Sequence, residues 1–70
     1  MIKNSLAEEI SKRRKLLNVT QEQLADMAEV GLRTLKSIET GRGNPTLSTI
    51  LKLTDVLGLD LNLEIKKIGL

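Results

Sequence analysis

Residues 20–41 read Thr20-Gln-Glu-Gln-Leu-Ala-Asp-Met-Ala-Glu-Val-Gly-Leu-Arg-Thr-Leu-Lys-Ser-Ile-Glu-Thr-Gly41, and this stretch decides the fold. It holds two short helical patterns almost end to end. Leu24, Ala25 and Ala28 mark the apolar face of the first, Leu35 and Ile38 that of the second, and Val30 lies between them. Thr20 with Gln23 has the spacing of a capping box, which starts the first of these helices. The connection is too short for antiparallel stacking, so the two helices must cross steeply. A small residue is needed where they touch, and Ala25 supplies it.

Two helices joined in this way make a helix-turn-helix, whose second helix is shaped to enter a DNA major groove. The spacing resembles the Xre/lambda-repressor-like family, whose pattern runs Thr-Gln-x-x-Leu-Ala to Ile-Glu-x-Gly. Here the pattern is carried by Thr20, Gln21, Leu24, Ala25, Ile38, Glu39 and Gly41, and the likeness extends from about Ile10 to Gly58. Two positions depart from it. Glu29 stands where the turn usually has glycine, and Gly31 stands where Ser or Thr usually opens the recognition helix. A left-handed Glu29 would cost on the order of 1 kcal/mol relative to glycine. Gly31 can act as an N-cap but brings no side-chain acceptor.

Composition narrows the function classes. A chain of 70 residues is one small domain with a marginal core, of a size that leans on disulfides, metals or a partner subunit. Cysteine and histidine are both absent. That removes disulfides, thiolate ligands, the commonest metal ligand and the usual base for an activated serine. Glycines at 31, 41, 43 and 58 read as turn and cap residues, with no phosphate-cradling fingerprint. The expectation is therefore no enzyme, no metal and no cofactor. The net charge of +2 is undiagnostic, but its distribution is informative: Lys12 to Lys15 form a basic cluster, and Arg33, Lys36 and Arg42 fall in and after the recognition helix. No apolar run approaches membrane length and no signal-peptide core opens the chain, so a cytoplasmic location is expected.

The remainder of the chain completes a mainly α domain of four helices over residues 1–58. Ser5 with Glu8 suggests the start of the first helix, with Leu6, Ile10 and Leu17 on one face. Arg14 lies in that apolar stripe. Counting about 100° per residue puts Glu39 inward beside Leu35 and Ile38, so an Arg14–Glu39 ion pair at the core edge is the simplest account. Two independently snorkelling side chains are the alternative. Thr46 caps a fourth helix running to about Leu57, with Leu47, Ile50, Leu51, Leu53 and Leu57 available to the core, and Gly58 ends it.

Residues 59–70 read differently. Leu59 to Lys66 alternates strictly between apolar and polar, the period of a half-buried strand. A lone strand cannot satisfy its own backbone, so its partner is expected to be the same segment of a second copy, with Leu59, Leu61, Leu63 and Ile65 forming the dimer interface. In this the chain resembles the HipB-like antitoxin branch of the family, whose dimers join through C-terminal strands.

By the resemblance, Leu32, Arg33 and Ser37 occupy positions that meet base edges in double-stranded DNA, with Arg33 suited to guanine and Leu32 to a thymine methyl. Lys36 and Thr40 share the outward face, Gln21 sits where a helix N-terminus can meet a phosphate, and Arg42 and Asn44 are placed to clamp the same strand. A solvated polar helix face is the plainer reading of the same residues. Lys12, Arg13 and Lys15 are further candidates, for which an ordinary solvated helix face is the alternative. The function implied is a sequence-specific homodimeric repressor on a palindromic operator, the autoregulating antitoxin of a toxin–antitoxin operon, with a HipA-like kinase toxin as a further partner. The rivals are an interaction module whose main task is neutralising a toxin, a repressor with no toxin, and an architectural DNA binder without sequence preference.

Overall fold

The computed structural model describes residues 2–62 and has four helices: α1 (Ile2–Leu16), α2 (Gln21–Ala28), α3 (Leu32–Glu39) and α4 (Leu47–Leu57). Helix α2 packs against both α3 and α4, and α1 against the same two. The seam between them is aliphatic: Ile10, Leu24, Leu35, Leu53 and Leu57 are fully buried, with Ala25, Ala28 and Ile38 beside them. Ala25 and Ala28 allow α2 close to its neighbours. Val19, Val30, Leu32, Val56 and Leu59 pack on the margin.

The starts of α2 and α4 follow from their side chains. The Gln23 amide donates to Thr20 Oγ1 at 3.0 Å, and the Thr20 amide donates to Gln23 Oε1 at 2.9 Å, which closes the capping box. At α4 the Thr49 amide donates to Thr46 Oγ1 at 3.1 Å. Gly31 opens α3 without a side-chain hydrogen bond.

All four helices terminate alike. A residue in the left-handed region (Asn18, Glu29, Gly41 or Gly58, with φ of 58°, 55°, 76° and 68°) is followed by one whose amide returns to a carbonyl five residues earlier. Those closing bonds are Val19 to Arg14 at 3.1 Å, Val30 to Ala25 at 2.9 Å, Arg42 to Ser37 at 3.0 Å and Leu59 to Thr54 at 2.9 Å. This is the Schellman termination, which satisfies carbonyls that the helix leaves free. Glu29 adopts it despite its Cβ, so the turn keeps the geometry that glycine normally supplies.

Several sequence expectations are corrected. Helix α1 begins at Ile2, so Ser5 lies inside it and caps nothing; serine is tolerated within a helix, and the preceding residues extend the turn. Leu17 is 43 % exposed because α1 ends at Leu16 and the chain turns at Asn18, which gives the core position to Val19. Leu47 and Leu51 are 63 % and 47 % exposed and line a surface recess at the margin of the core with Thr54 and Leu61. Leu59 to Asn62 form no strand within the single chain, as the expected strand pairs only with a second copy. The rest of the expected strand, including Leu63 and Ile65, lies outside the described residues. Leu59 packs partly on its own core, whereas Leu61 is exposed.

Candidate nucleic-acid interface

Burying Leu35 and Ile38 fixes the roll of α3 and turns its other side to solvent. Arg33, Lys36 and Thr40 are exposed there, while Ser37 is half-buried. Leu32 is half-buried and leans on the core margin, so only part of its side chain is free. The termination at Gly41 folds the following loop back along α3. As a result Arg33, Ser37, Arg42 and Asn44 line one shallow cleft, with Thr34, Gly43 and Pro45 completing its walls. The sequence marks Gly43 only as a turn residue and does not place Thr34 or Pro45 in a site. A glycine or proline in a loop gives no sign of which helix the loop folds onto.

The base of α3 is held by a buried ionic network. Arg14 Nε donates to Glu39 Oε2 at 2.8 Å and Arg14 Nη2 to Glu39 Oε1 at 2.9 Å, a bidentate pair whose side chains are only 11 % and 6 % exposed. Arg14 Nη1 donates to the Val19 carbonyl at 2.9 Å, which ties in the α1–α2 connection. Gln21 Nε2 donates to Glu39 Oε1 at 3.3 Å, linking the first residue of α2 to the end of α3. Burial pushes the Glu39 carboxyl up, but the hydrogen bonds and charge of Arg14, helped by Gln21 and Ser11, prevail and hold its pKa below the ordinary value. Donating to the Glu39 carboxylate likewise raises the pKa of Arg14, against its own desolvation. The network sets the recognition helix relative to α1 and α2, and it orients the Gln21 amide near the start of α2.

The basic cluster of α1 divides. Arg13 Nε donates to the Leu57 carbonyl at 2.8 Å and so caps the C-terminus of α4. There a cation also meets the negative end of the helix dipole. This side chain is therefore occupied within the fold. Lys12 and Lys15 are exposed and share a recess with Glu8 and Ser11, separate from the α3 cleft.

Comparison with known proteins accords with this arrangement. The family model described as helix-turn-helix matches residues 10–63. The chain is 33 % identical over 57 residues to the cryptic phage CTXphi transcriptional repressor RstR of Vibrio cholerae serotype O1, across 81 % of this chain and 51 % of that protein. The chain thus spans about half the length of the curated relative it matches. It belongs to the helix-turn-helix family, of the Xre-like kind.

Proposed function

We propose, on the basis of that membership, that the chain is a sequence-specific DNA-binding transcriptional repressor that acts as a homodimer on a palindromic operator. The observation that carries the reading is the cleft itself: Arg33, Arg42 and Asn44 lie together on the solvent side of α3, opposite the buried Leu35–Ile38 seam, with Lys36 and Thr40 beside them. In this reading Arg33 reads guanine in the major groove, and the exposed part of Leu32 meets a thymine methyl. Lys36, Arg42, Asn44 and Gln21 engage the flanking backbone, while Thr40, whose hydroxyl donates to the Ser37 carbonyl, steadies the turn after α3. The matched relative is described as a transcriptional repressor, which favours regulation over a purely architectural role.

Two-fold symmetry follows if residues 59–66 pair with the same segment of a second copy. Leu47, Leu51 and Leu61 support an interface at this end of the molecule, being large apolar side chains left exposed in the monomer. The antitoxin assignment rests on the alternating pattern of residues 59–66, and a HipA-like kinase encoded beside this gene would favour it.

Selection from random duplex DNA tests the central reading. The expected product is an inverted repeat with half-site centres about 34 Å apart, one helical turn. A pool with no enriched sequence would refute it. Sedimentation of the chain truncated after Asn62, which keeps the Leu59 contacts, tests the dimer; a truncated chain still dimeric at micromolar concentration would move the interface to α4.

A further inference from the structure

The loop after α3 returns to the last turn of that helix: the Gly41 amide donates to the Ile38 carbonyl at 3.0 Å, and two further bonds converge on Ser37. The Ser37 carbonyl accepts the Thr40 hydroxyl at 2.9 Å and the Arg42 amide at 3.0 Å. The Ser37 side chain faces Gly43, where a Cβ would stand 2.6 Å from Ser37 Oγ and 3.6 Å from Ser37 Cβ. The first distance is well inside van der Waals contact and the second is ordinary packing. The absence of a side chain at position 43 lets the loop lie flush against α3 with the Ser37 hydroxyl turned toward it, and Ser37 is half-buried beneath it. Gly43 is flanked by Arg42 and Asn44, both exposed and both lining the cleft with Arg33.

We propose that Ser37 and Gly43 form the seat that positions Arg42 and Asn44 on the DNA backbone, and that Ser37 reads no base. The proposal rests on the reading of this cleft as DNA-facing. It assigns specificity to Arg33 and Leu32, and it makes Gly43 a positioning residue that acts without touching DNA. A side chain at 43 lifts the loop, so the loss is of phosphate contact and is shared by all sequences.

The test compares the parent chain with Gly43→Ala, Ser37→Ala and Ser37→Ala/Gly43→Ala on the selected operator and on scrambled duplex, across a salt series. Gly43→Ala is expected to weaken both DNAs alike, by about tenfold, and to lower the salt slope by about one phosphate's share. Alanine at 43 is also strained by the φ of +78° there. The double variant separates the two causes: removing Ser37 Oγ relieves the contact but not the strain, so substantial recovery of affinity is expected. Ser37→Ala alone should leave the preference at every base position unchanged. Amide exchange without DNA adds a local readout, in which Gly43→Ala speeds exchange of the Arg42 amide while that of Leu35 is unaffected.

Parent-like binding by Gly43→Ala would overturn the proposal, since the serine hydroxyl would then simply turn aside. Failure of the double variant to recover would assign the effect to backbone strain, and relaxed preference at one base in Ser37→Ala would make Ser37 a reader; either result also overturns it. If the parent chain bound no duplex, the DNA reading itself would fall, and the exchange arm would still report whether the seat holds the loop.

Discussion

Replacing Glu39 by alanine should be among the most damaging single changes in this chain. The substitution leaves Arg14 Nε and Nη2 without acceptors, although Nη1 keeps the Val19 carbonyl. With only 11 % of the Arg14 side chain exposed, little water reaches the freed donors. Removing one partner of a buried pair costs about 3–5 kcal/mol, and the 11 % exposure places this case near the lower figure. A chain of 70 residues has about 3.5–10 kcal/mol of total stability. A loss of about 3 kcal/mol would lower Tm by roughly 12–24 °C in a domain of this size. The sequence has no Phe, Trp or Tyr, so far-UV circular dichroism is the suitable probe and intrinsic fluorescence is not. Arg14→Met/Glu39→Leu should recover much of the loss, because matched apolar side chains leave no orphaned charge. Glu22→Ala, at an exposed carboxylate of α2, is the control. A Glu39→Ala melting point no lower than that control would refute the reasoning. The same pair sets an acid limit. Glu39 titrates below its ordinary value when folded, so its contribution is present above the unfolded pKa of about 4.3 and lost as pH falls through the folded one. Glu39→Gln should therefore flatten the acid side of the stability profile, and an unchanged acid limb would count against the linkage.

Glu29→Gly should stabilise the chain by about 1 kcal/mol by removing a Cβ from a left-handed residue, while Glu8→Gly, within α1, should destabilise it by about as much. Equal losses from both in urea melts would show that Glu29 carries no strain. Arg13→Met should cost about 1 kcal/mol through loss of the Leu57 cap and leave operator affinity unchanged; a binding defect with normal melting would put Arg13 on the DNA instead. Arg33→Ala should cost about 1–3 kcal/mol and relax one base position, whereas Arg42→Ala should weaken all sequences and lower the salt slope by about one. Equal weakening of cognate and scrambled DNA by Arg33→Ala would remove it from the base edge.

Local chemistry made part of this legible in the sequence. Thr20 with Gln23, Thr46 and Gly58 are signals whose cause and effect lie within a few residues, and each marks a helix end in the structure. Arg14 and Glu39 are 25 positions apart, yet helical phase is enough to set both inward, and two opposite charges facing one aliphatic core have few other partners. Pattern alone failed where the helix stopped or the partner was remote. Leu17 continues the stripe of Leu6 and Ile10 by periodicity, but the helix has already ended before it. Leu47 shares the helical phase of the buried Thr54 but is the first residue of α4, so phase alone does not bury it, and Leu51 flanks the core face. Arg13 and its acceptor on Leu57 are separated by 44 positions, with no charge partner in the sequence to announce the contact. The Ser37–Gly43 contact is decided by the path of the loop, which the identity of a glycine does not reveal.

The helix ends connect the fold to the cleft. In three of the four terminations the residue whose amide closes the motif is apolar, and Val19, Val30 and Leu59 each lay that side chain on the core margin. The usual hydrophobic contact of the motif thus seals the core at three places. The fourth termination follows α3, and there the same position is Arg42, whose side chain is exposed. The backbone bonds that stop the helix are unchanged, so the loop keeps its path while the side chain is released from packing. That places a cation at a defined point beside Arg33 without disturbing the aliphatic seam. The closing residue then lacks the apolar anchor that its counterparts have, and the loop is held to α3 by the two bonds to the Ser37 carbonyl, the bond from the Gly41 amide to the Ile38 carbonyl and the close approach of Gly43. Precision at the cleft accordingly depends on a small polar contact, which is more easily disturbed by substitution than the buried core behind it.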